Sequence, residues 1–252
     1  NDEPASVLLE KIAAEKEQLI KDKKIKKPKS LPAIEENEKP FELPSGWEWS
    51  RLGFITEIGP RNNLDDDIQV SFVPMPLITT NYDGSHGQEI RKWSEIKKGY
   101  THFSNGDIAL AKITPCFENS KAAVFTGLKN GYGAGTTELH VARPFGETLN
   151  RLFILLYLKA PQFLQMGKTK MTGSAGQKRV PTDFFKGNPI PFPPLVEQHR
   201  IVAKVDELML LCDQLEQQTE NSITAHKTLV ETLLATLSNS GNTAEFNQNW
   251  TR

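Results

Sequence analysis

Residues 167–179, GKTKMTGSAGQKR, put Lys168, Lys170, Thr172, Ser174, Gln177, Lys178 and Arg179 into one glycine-flexed stretch. This is chemistry for holding an anion. Lys, Arg and the amides of glycine loops bind phosphates. Gln and Asn can bridge adenine in a major groove, and Arg or Lys can bridge guanine. In this stretch Lys178 is assigned chiefly to phosphate, and Gln177 or Arg179 to a base edge. Two other loops repeat the mixture. TNYDGSHGQEIRKW (80–93) offers Asn81, Tyr82, His86, Arg91 and Lys92, and LAKITPCFENSKA (110–122) offers Lys112, Thr114, Asn119 and Lys121. The formal net charge of −1 hides a supporting asymmetry. Residues 101–190 carry 11 Lys+Arg against 5 Asp+Glu, residues 191–252 carry 4 against 8, and residues 1–40 carry 9 against 9. A basic block between neutral and acidic flanks points to a polyanion partner, although ordinary surface charge would give the same count.

Reactive chemistry is poorly represented. No phosphate-binding G-x-x-x-x-G-K-[ST] occurs, and GYGAG at 131–135 lacks the strand-before, helix-after context of a nucleotide loop, so it reads as a turn in a hairpin. GNPIPF (187–192) contains Asn-Pro, but Ile190 breaks the pattern with which an amino-methyltransferase grips its target, and no cofactor loop accompanies it. His86, His102, His140, His199 and His226 have no ligand-like spacing. Asp65, Asp66 and Asp67 could hold a metal, but a solvated turn explains them more simply. Cys116 and Cys212 fit reduced thiols better than a disulfide scaffold or zinc site. No apolar run reaches the roughly 20 residues of a bilayer span, and the start of the chain lacks a signal-peptide pattern.

The elements that would carry these loops follow from periodicity. Residues 5–26 read as a helix with Leu8, Ile12 and Leu19 on one face and Ser6 available as a cap. The proline-bearing stretch 26–46 reads as an extended linker. Strands are predicted at 69–78, 106–113, 121–127 and 137–144, and short helices at 148–159 and 161–167. Strands and helices without regular alternation argue for α+β. The prolines 189, 191, 193 and 194 predict an extended strut. From Leu195 to about Leu237 apolar residues return at heptad spacing: Ile201, Val205, Leu208, Cys212, Leu215, then Ile223, His226, Val230, Leu233 and Leu237 after one drift. Such a helix is roughly 65 Å long, and the 5–26 helix is its obvious antiparallel partner. The expected organisation is therefore a helix at 1–28, a linker at 29–44, a mixed-sheet α+β domain at 45–192, a long helix at 193–238 and a tail at 239–252.

Several ordered pieces carry a family resemblance. DEPASVLLEKIAAEKEQLIKDKKIKK (2–27), FELPSGWEWSRLG (41–53), GDIALAKITPCFENSKAA (106–123), GAGTTELHVARP (133–144) and the whole of 172–216 resemble the specificity subunits of type I restriction–modification systems. The resemblance implies a target-recognition domain that reads half of a bipartite site in double-stranded DNA. It also implies flanking helices that hold modification subunits, with a separate restriction subunit as motor and nuclease. S-adenosylmethionine, ATP and magnesium would then belong to those partners, and this chain would carry no cofactor, no metal and no catalysis. Such subunits usually carry two recognition domains, and one is visible here, so a half-subunit or fragment is expected, in a prokaryotic cytoplasm. Two other classes compete: a self-contained methyltransferase or nuclease with its own recognition domain, and a coiled-coil scaffold with an incidental domain.

Overall fold

The computed structural model describes residues 2–174, 176–239 and 241–250. In chain order it contains α1 (Ala5–Lys21), β1 (Glu48–Arg51), α2 (Leu52–Ile55), β2 (Thr56–Ile58), β3 (Gln69–Val73), β4 (Glu89–Lys92), α3 (Trp93–Ile96), β5 (Thr101–Ser104) and β6 (Ile108–Ala111). It continues with β7 (Ala122–Val124), β8 (Tyr132–Gly135), β9 (Leu139–Pro144), α4 (Arg151–Lys159), α5 (Pro161–Lys170), α6 (Thr182–Gly187), β10 (Pro189–Phe192), α7 (Leu195–Asn239) and α8 (Thr243–Trp250). The chain divides into two units, Asn1–Val202 and Ala203–Arg252.

The first unit is built on two four-stranded sheets. One, ordered β2-β9-β6-β7, is antiparallel throughout; the other, β4-β3-β8-β5, is mixed because β3 and β8 run parallel. The two-residue period of a strand sends alternate side chains to opposite faces, and this sorts the core. Ile108 and Leu110 of β6 face a helical layer with Phe153, Ile154 and Phe163, while Ala109 and Ala111 face the second sheet with Phe103 and Phe125. Beyond the second sheet, Val70 and Phe72 pack on Trp93 and Ile96 of α3. Alanines at 109, 111 and 123 leave room between the sheets, and the Phe103 and Phe125 rings stack there at 3.7 Å.

GYGAG is not a turn. Residues 132–135 form β8, between β3 and β5. Its glycines permit close approach: a Cβ on Gly133 would stand 2.7 Å from the Ser71 carbonyl oxygen and closer still to the Phe103 ring. The proline stretch is extended as expected, but it is also paired. β10 lies antiparallel to β1, with Glu48 opposite Phe192 and Arg51 opposite Pro189. Ile190 and Phe192 point into the core while the prolines, lacking N–H donors, occupy the alternate positions.

The expected pairing of α1 with the long helix is corrected. Leu8 and Ile12 are buried in the core of the first unit with Leu52 and Ile55, and Leu19 packs against the same cluster. At the start of α7, within the same unit, Val202 is buried and Ile201 packs on that cluster. Leu208, Leu215, Ile223 and Val230 are exposed, and Val205 is half-buried. Heptad spacing shows that a face is apolar; it does not say which surface meets it. Nor does Ser6 cap α1, which begins after Pro4 with the Ala5 amide donating to the Gly46 carbonyl at 2.9 Å. The helix ends at Lys21 rather than 26. The tail adds α8, capped by the Asn242 side chain.

Arg51 makes several hydrogen bonds to the linker 29–44. Buried Arg51 donates from Nε to Pro32 O at 2.9 Å and from Nη2 to Ala33 O at 2.9 Å. It forks onto the Glu38 carboxylate at 2.7 and 3.0 Å and also donates to Gly187 O. The first turn of α7 is anchored in a similar way. Fully buried Gln198 accepts from the Asn150 amide at 2.8 Å and donates to Pro193 O at 2.9 Å, joining the base of α7 to the start of α4.

Candidate nucleic-acid interface

The basic stretch forms a hairpin after α5. Thr172 and Arg179 close it with two backbone hydrogen bonds of 2.8 and 3.0 Å, and Gly173 and Gly176 hold positive φ between them, a conformation that L side chains rarely adopt. Ala175 lies outside the described residues. The hairpin hangs on the 112–121 turn. Thr114 N donates to Lys178 O at 3.0 Å, its hydroxyl donates to Gly176 O at 3.2 Å, and Val180 N donates to Lys112 O. Lys168, at the end of α5, pairs with Glu118 of the same turn at 3.3 Å. Two of the three predicted loops are therefore brought together on one face.

The third loop divides. Residues 81–87 pack beside β7, where Lys159 Nζ ties Thr80 O to Ser120 O at 3.3 and 2.7 Å. Burial pushes that amine down to about 8. Asn81 and Tyr82 lie on this segment, Asn81 exposed and turned toward Ser85. His86 is occupied structurally: its Nε2 accepts from the Thr126 amide at 3.2 Å and its ring stands edge-on to Phe125. Arg91 and Lys92 lie on the edge strand β4. Arg91 covers the Phe72 ring at 4.0 Å and pairs with Glu89, and Lys92 pairs with Asp67. Asp66 pairs with Lys97, so the aspartate run serves local ion pairs.

The basic block contains both committed and free cations. All five of its carboxylates are paired: Asp107 with Arg143, Glu118 with Lys168, Glu138 with Arg179, Glu147 with Arg151 and Asp183 with Lys186. Of the remaining cations, Lys159 is committed as above and Lys121 donates to Met75 O at 3.1 Å. Among the described residues this leaves Lys112, Lys129, Lys170 and Lys178 without an ion pair or side-chain hydrogen bond. Three of the four belong to the hairpin, the adjoining turn and the end of α5. Thr172, Ser174, Gln177 and Asn119 likewise keep their side chains unengaged among the described residues, and all four are exposed.

Three of the expected residues carry internal contacts. The Thr114 hydroxyl holds the hairpin, Lys121 ties the turn to residue 75, and Arg179 is engaged by a carboxylate. Arg179 forks onto Glu138 with bonds of 2.8 and 2.9 Å and sends Nη1 to Gln177 O at 3.1 Å. Its hydrogen bonds hold the Glu138 carboxyl below the usual carboxylate range. The sequence reading missed Glu138, although a carboxylate in a cationic block is a usable signal, because such a group needs a partner nearby.

Beside the hairpin a cleft of about 370 Å³ opens between β9 and the start of β5, lined by Arg61, Thr101, Lys112, Thr137 and His140. His140 Nε2 bonds Val180 O at 2.8 Å and its ring stacks on Phe185. Burial pushes it down from 6.5 to about 4, with Lys112 adding to the shift and Glu138 opposing it. Between these two values the unfolded chain binds a proton that the folded chain refuses, so stability falls as pH falls. At about 1.4 kcal/mol per unit over 2.5 units, His140 is expected to cost about 3 kcal/mol between pH 6.5 and 4. His102 is also lowered by burial and acts in the same direction. Denaturant titrations across this range should show the slope, and His140→Gln, which keeps a donor for Val180 O but cannot titrate, should flatten it. An unchanged slope would assign the acid sensitivity elsewhere.

The described residues thus define a mixed two-sheet domain that offers free lysines and amides on one loop face and continues into a long helix with an apolar stripe. The same fold is found in the HsdS subunit of Thermoanaerobacter tengcongensis, with a TM-score of 0.64 over 79% of this chain and 51% of that one, at 23% identity. The chain belongs to the family described as the type I restriction modification DNA specificity domain, whose family model matches residues 44–225. Among curated proteins it is 64% identical over its whole length to the EcoAI specificity subunit and 63% identical to the EcoEI specificity subunit, both type I restriction enzyme components of Escherichia coli. It spans 43% of the length of each. No helix among the described residues is long and apolar enough to cross a membrane.

Proposed function

We propose that this chain is a non-catalytic DNA-specificity module of a type I restriction–modification complex, reading one half of a bipartite site in double-stranded DNA. The observation that carries the reading is the hairpin face. There, among the described residues, Lys112, Lys170 and Lys178 remain free after every carboxylate of the basic block is paired, with Ser174 and Gln177 exposed. Whole-chain similarity to named specificity subunits supports it and gives no support to a self-contained methyltransferase or nuclease. The exposed apolar stripe of α7, with Leu208, Leu215, Ile223 and Val230, is proposed to serve assembly with modification subunits. A restriction subunit would join that complex, in the cytoplasm of a prokaryotic cell. S-adenosylmethionine, ATP and magnesium are assigned to those partners.

The test is a salt-titrated binding assay with the assembled complex on cognate and single-mismatch duplexes. Lys178→Ala is expected to weaken all sequences alike and to reduce the salt slope by about one. Gln177→Ala is expected to relax discrimination at one base pair, by roughly 1–3 kcal/mol for a bidentate contact. If both variants leave affinity and mismatch ratio unchanged, the DNA face lies elsewhere, with the segment from Asn81 to Lys92 next to be tried.

A further inference from the structure

The geometry points to the Glu138–Arg179 pair as a clasp that sets the pose of the specificity hairpin, with Glu138 as a positioning residue that touches no DNA itself. This rests on the DNA-binding reading above and adds a role for a carboxylate that reading leaves unexplained. Glu138 is well fixed. Its amide donates to the Thr136 hydroxyl at 3.2 Å, and its carbonyl accepts from Lys112 N at 2.9 Å at the margin of β9. Both carboxylate oxygens face Arg179, one taking Nε and the other Nη2. A forked pair of this kind fixes an angle as well as a distance. The third guanidinium nitrogen reaches Gln177 O. One rigid plane therefore runs from the sheet through Arg179 to the backbone of the residue whose free amide faces outward.

Two consequences follow. The clasp fixes the direction in which Gln177 and Lys178 leave the hairpin. It also withdraws one positive charge from the phosphate-binding set, since an arginine forked onto a carboxylate has little capacity left for a phosphate. An arginine released at this position would bind any DNA backbone, raising affinity without regard to sequence. Glu138 thus trades indiscriminate affinity for orientation. An ion pair this exposed contributes little to fold stability, so variants at these positions are expected to remain folded.

The experiment uses the full-length specificity subunit assembled with its modification subunits, and measures binding to cognate, single-mismatch and unrelated duplexes over a range of salt. Glu138→Gln is expected to raise affinity for unrelated DNA and steepen the salt slope by about one, as Arg179 becomes a phosphate ligand. The cognate-to-mismatch ratio is expected to fall by about tenfold, the scale of one lost base-edge contact. Arg179→Gln should lower the same ratio with no change of slope. The double variant should return the slope to the wild-type value without restoring the ratio.

A clasp with only a structural role would lower cognate and unrelated binding together, with a matching loss of thermal stability, and would overturn the inference. So would a salt slope reduced by about one in Arg179→Gln, which would make Arg179 itself a phosphate ligand while leaving the proposed function standing. Absence of specific binding by the wild-type complex would instead remove the proposed function and this inference with it.

Discussion

Arg51→Ala is expected to cost about 1–3 kcal/mol, the scale at which hydrogen-bonding groups are left without their partner. All five guanidinium donors of Arg51 are used, on Pro32, Ala33, Gly187 and both oxygens of Glu38. Their removal leaves carbonyls and a carboxylate without a donor in a partly closed site, and an unmade hydrogen bond costs more than a made one contributes. Arg51→Lys is expected to recover little, because an ammonium cannot reproduce a planar fork. Denaturant unfolding should show a lower midpoint in both variants. Limited proteolysis should show new cleavage between residues 29 and 44, since Arg51 ties Pro32, Ala33 and Glu38 of that segment to the domain. A variant with an unchanged midpoint and an intact linker would show that the network is dispensable.

Gly133→Val is expected to destabilise the domain by at least about 3 kcal/mol, the upper part of the usual overpacking range. A Cβ at this position meets the carbonyl oxygen of Ser71 on the neighbouring strand as well as the Phe103 ring. The ring could turn aside, but β3 cannot retreat without breaking its ladder to β8. Combining the change with Phe103→Ala should therefore give a coupled, partial relief, measurable in a double-mutant cycle. Strict additivity would mean that the two residues do not share the space described.

The contrast between these sites shows what the sequence made legible. β6, β7 and β9 were visible in outline because apolar residues recur at strand spacing, and α4, α5 and α7 because theirs recur at helical spacing. β8 was not visible. Its residues, YGAG, favour a turn when taken alone, and they are strand only because Phe103 and β3 need a backbone with almost no side chains. β4, with the residues EIRK, is an edge strand whose side chains are largely exposed, so no burial pattern marks it. The destination of α1 was misjudged for a related reason: Leu8 and Ile12 advertise a face, and the surface that receives it is assembled from Leu52, Ile55 and Phe145 far along the chain. In the candidate site, the clustering of free lysines was approachable from composition. The commitment of Arg179 was not, because Glu138 stands 41 positions away.

The β1–β10 ladder also fixes an order of events at the ribosome. Glu48 must wait for Phe192, 144 positions later in the chain. At synthesis rates of roughly 5–20 residues per second, that wait is about 7–30 seconds. Throughout it β1 is an unpaired edge, and the apolar face of α1 lacks Phe145 and most of its other neighbours, which have yet to emerge. Contacts this distant in sequence also slow closure once the whole chain is free. The nascent first unit therefore keeps an unpaired edge and apolar surface exposed, a condition that favours aggregation, until the PIPF strand is made. Truncations ending just before Pro189 are expected to remain in that exposed state.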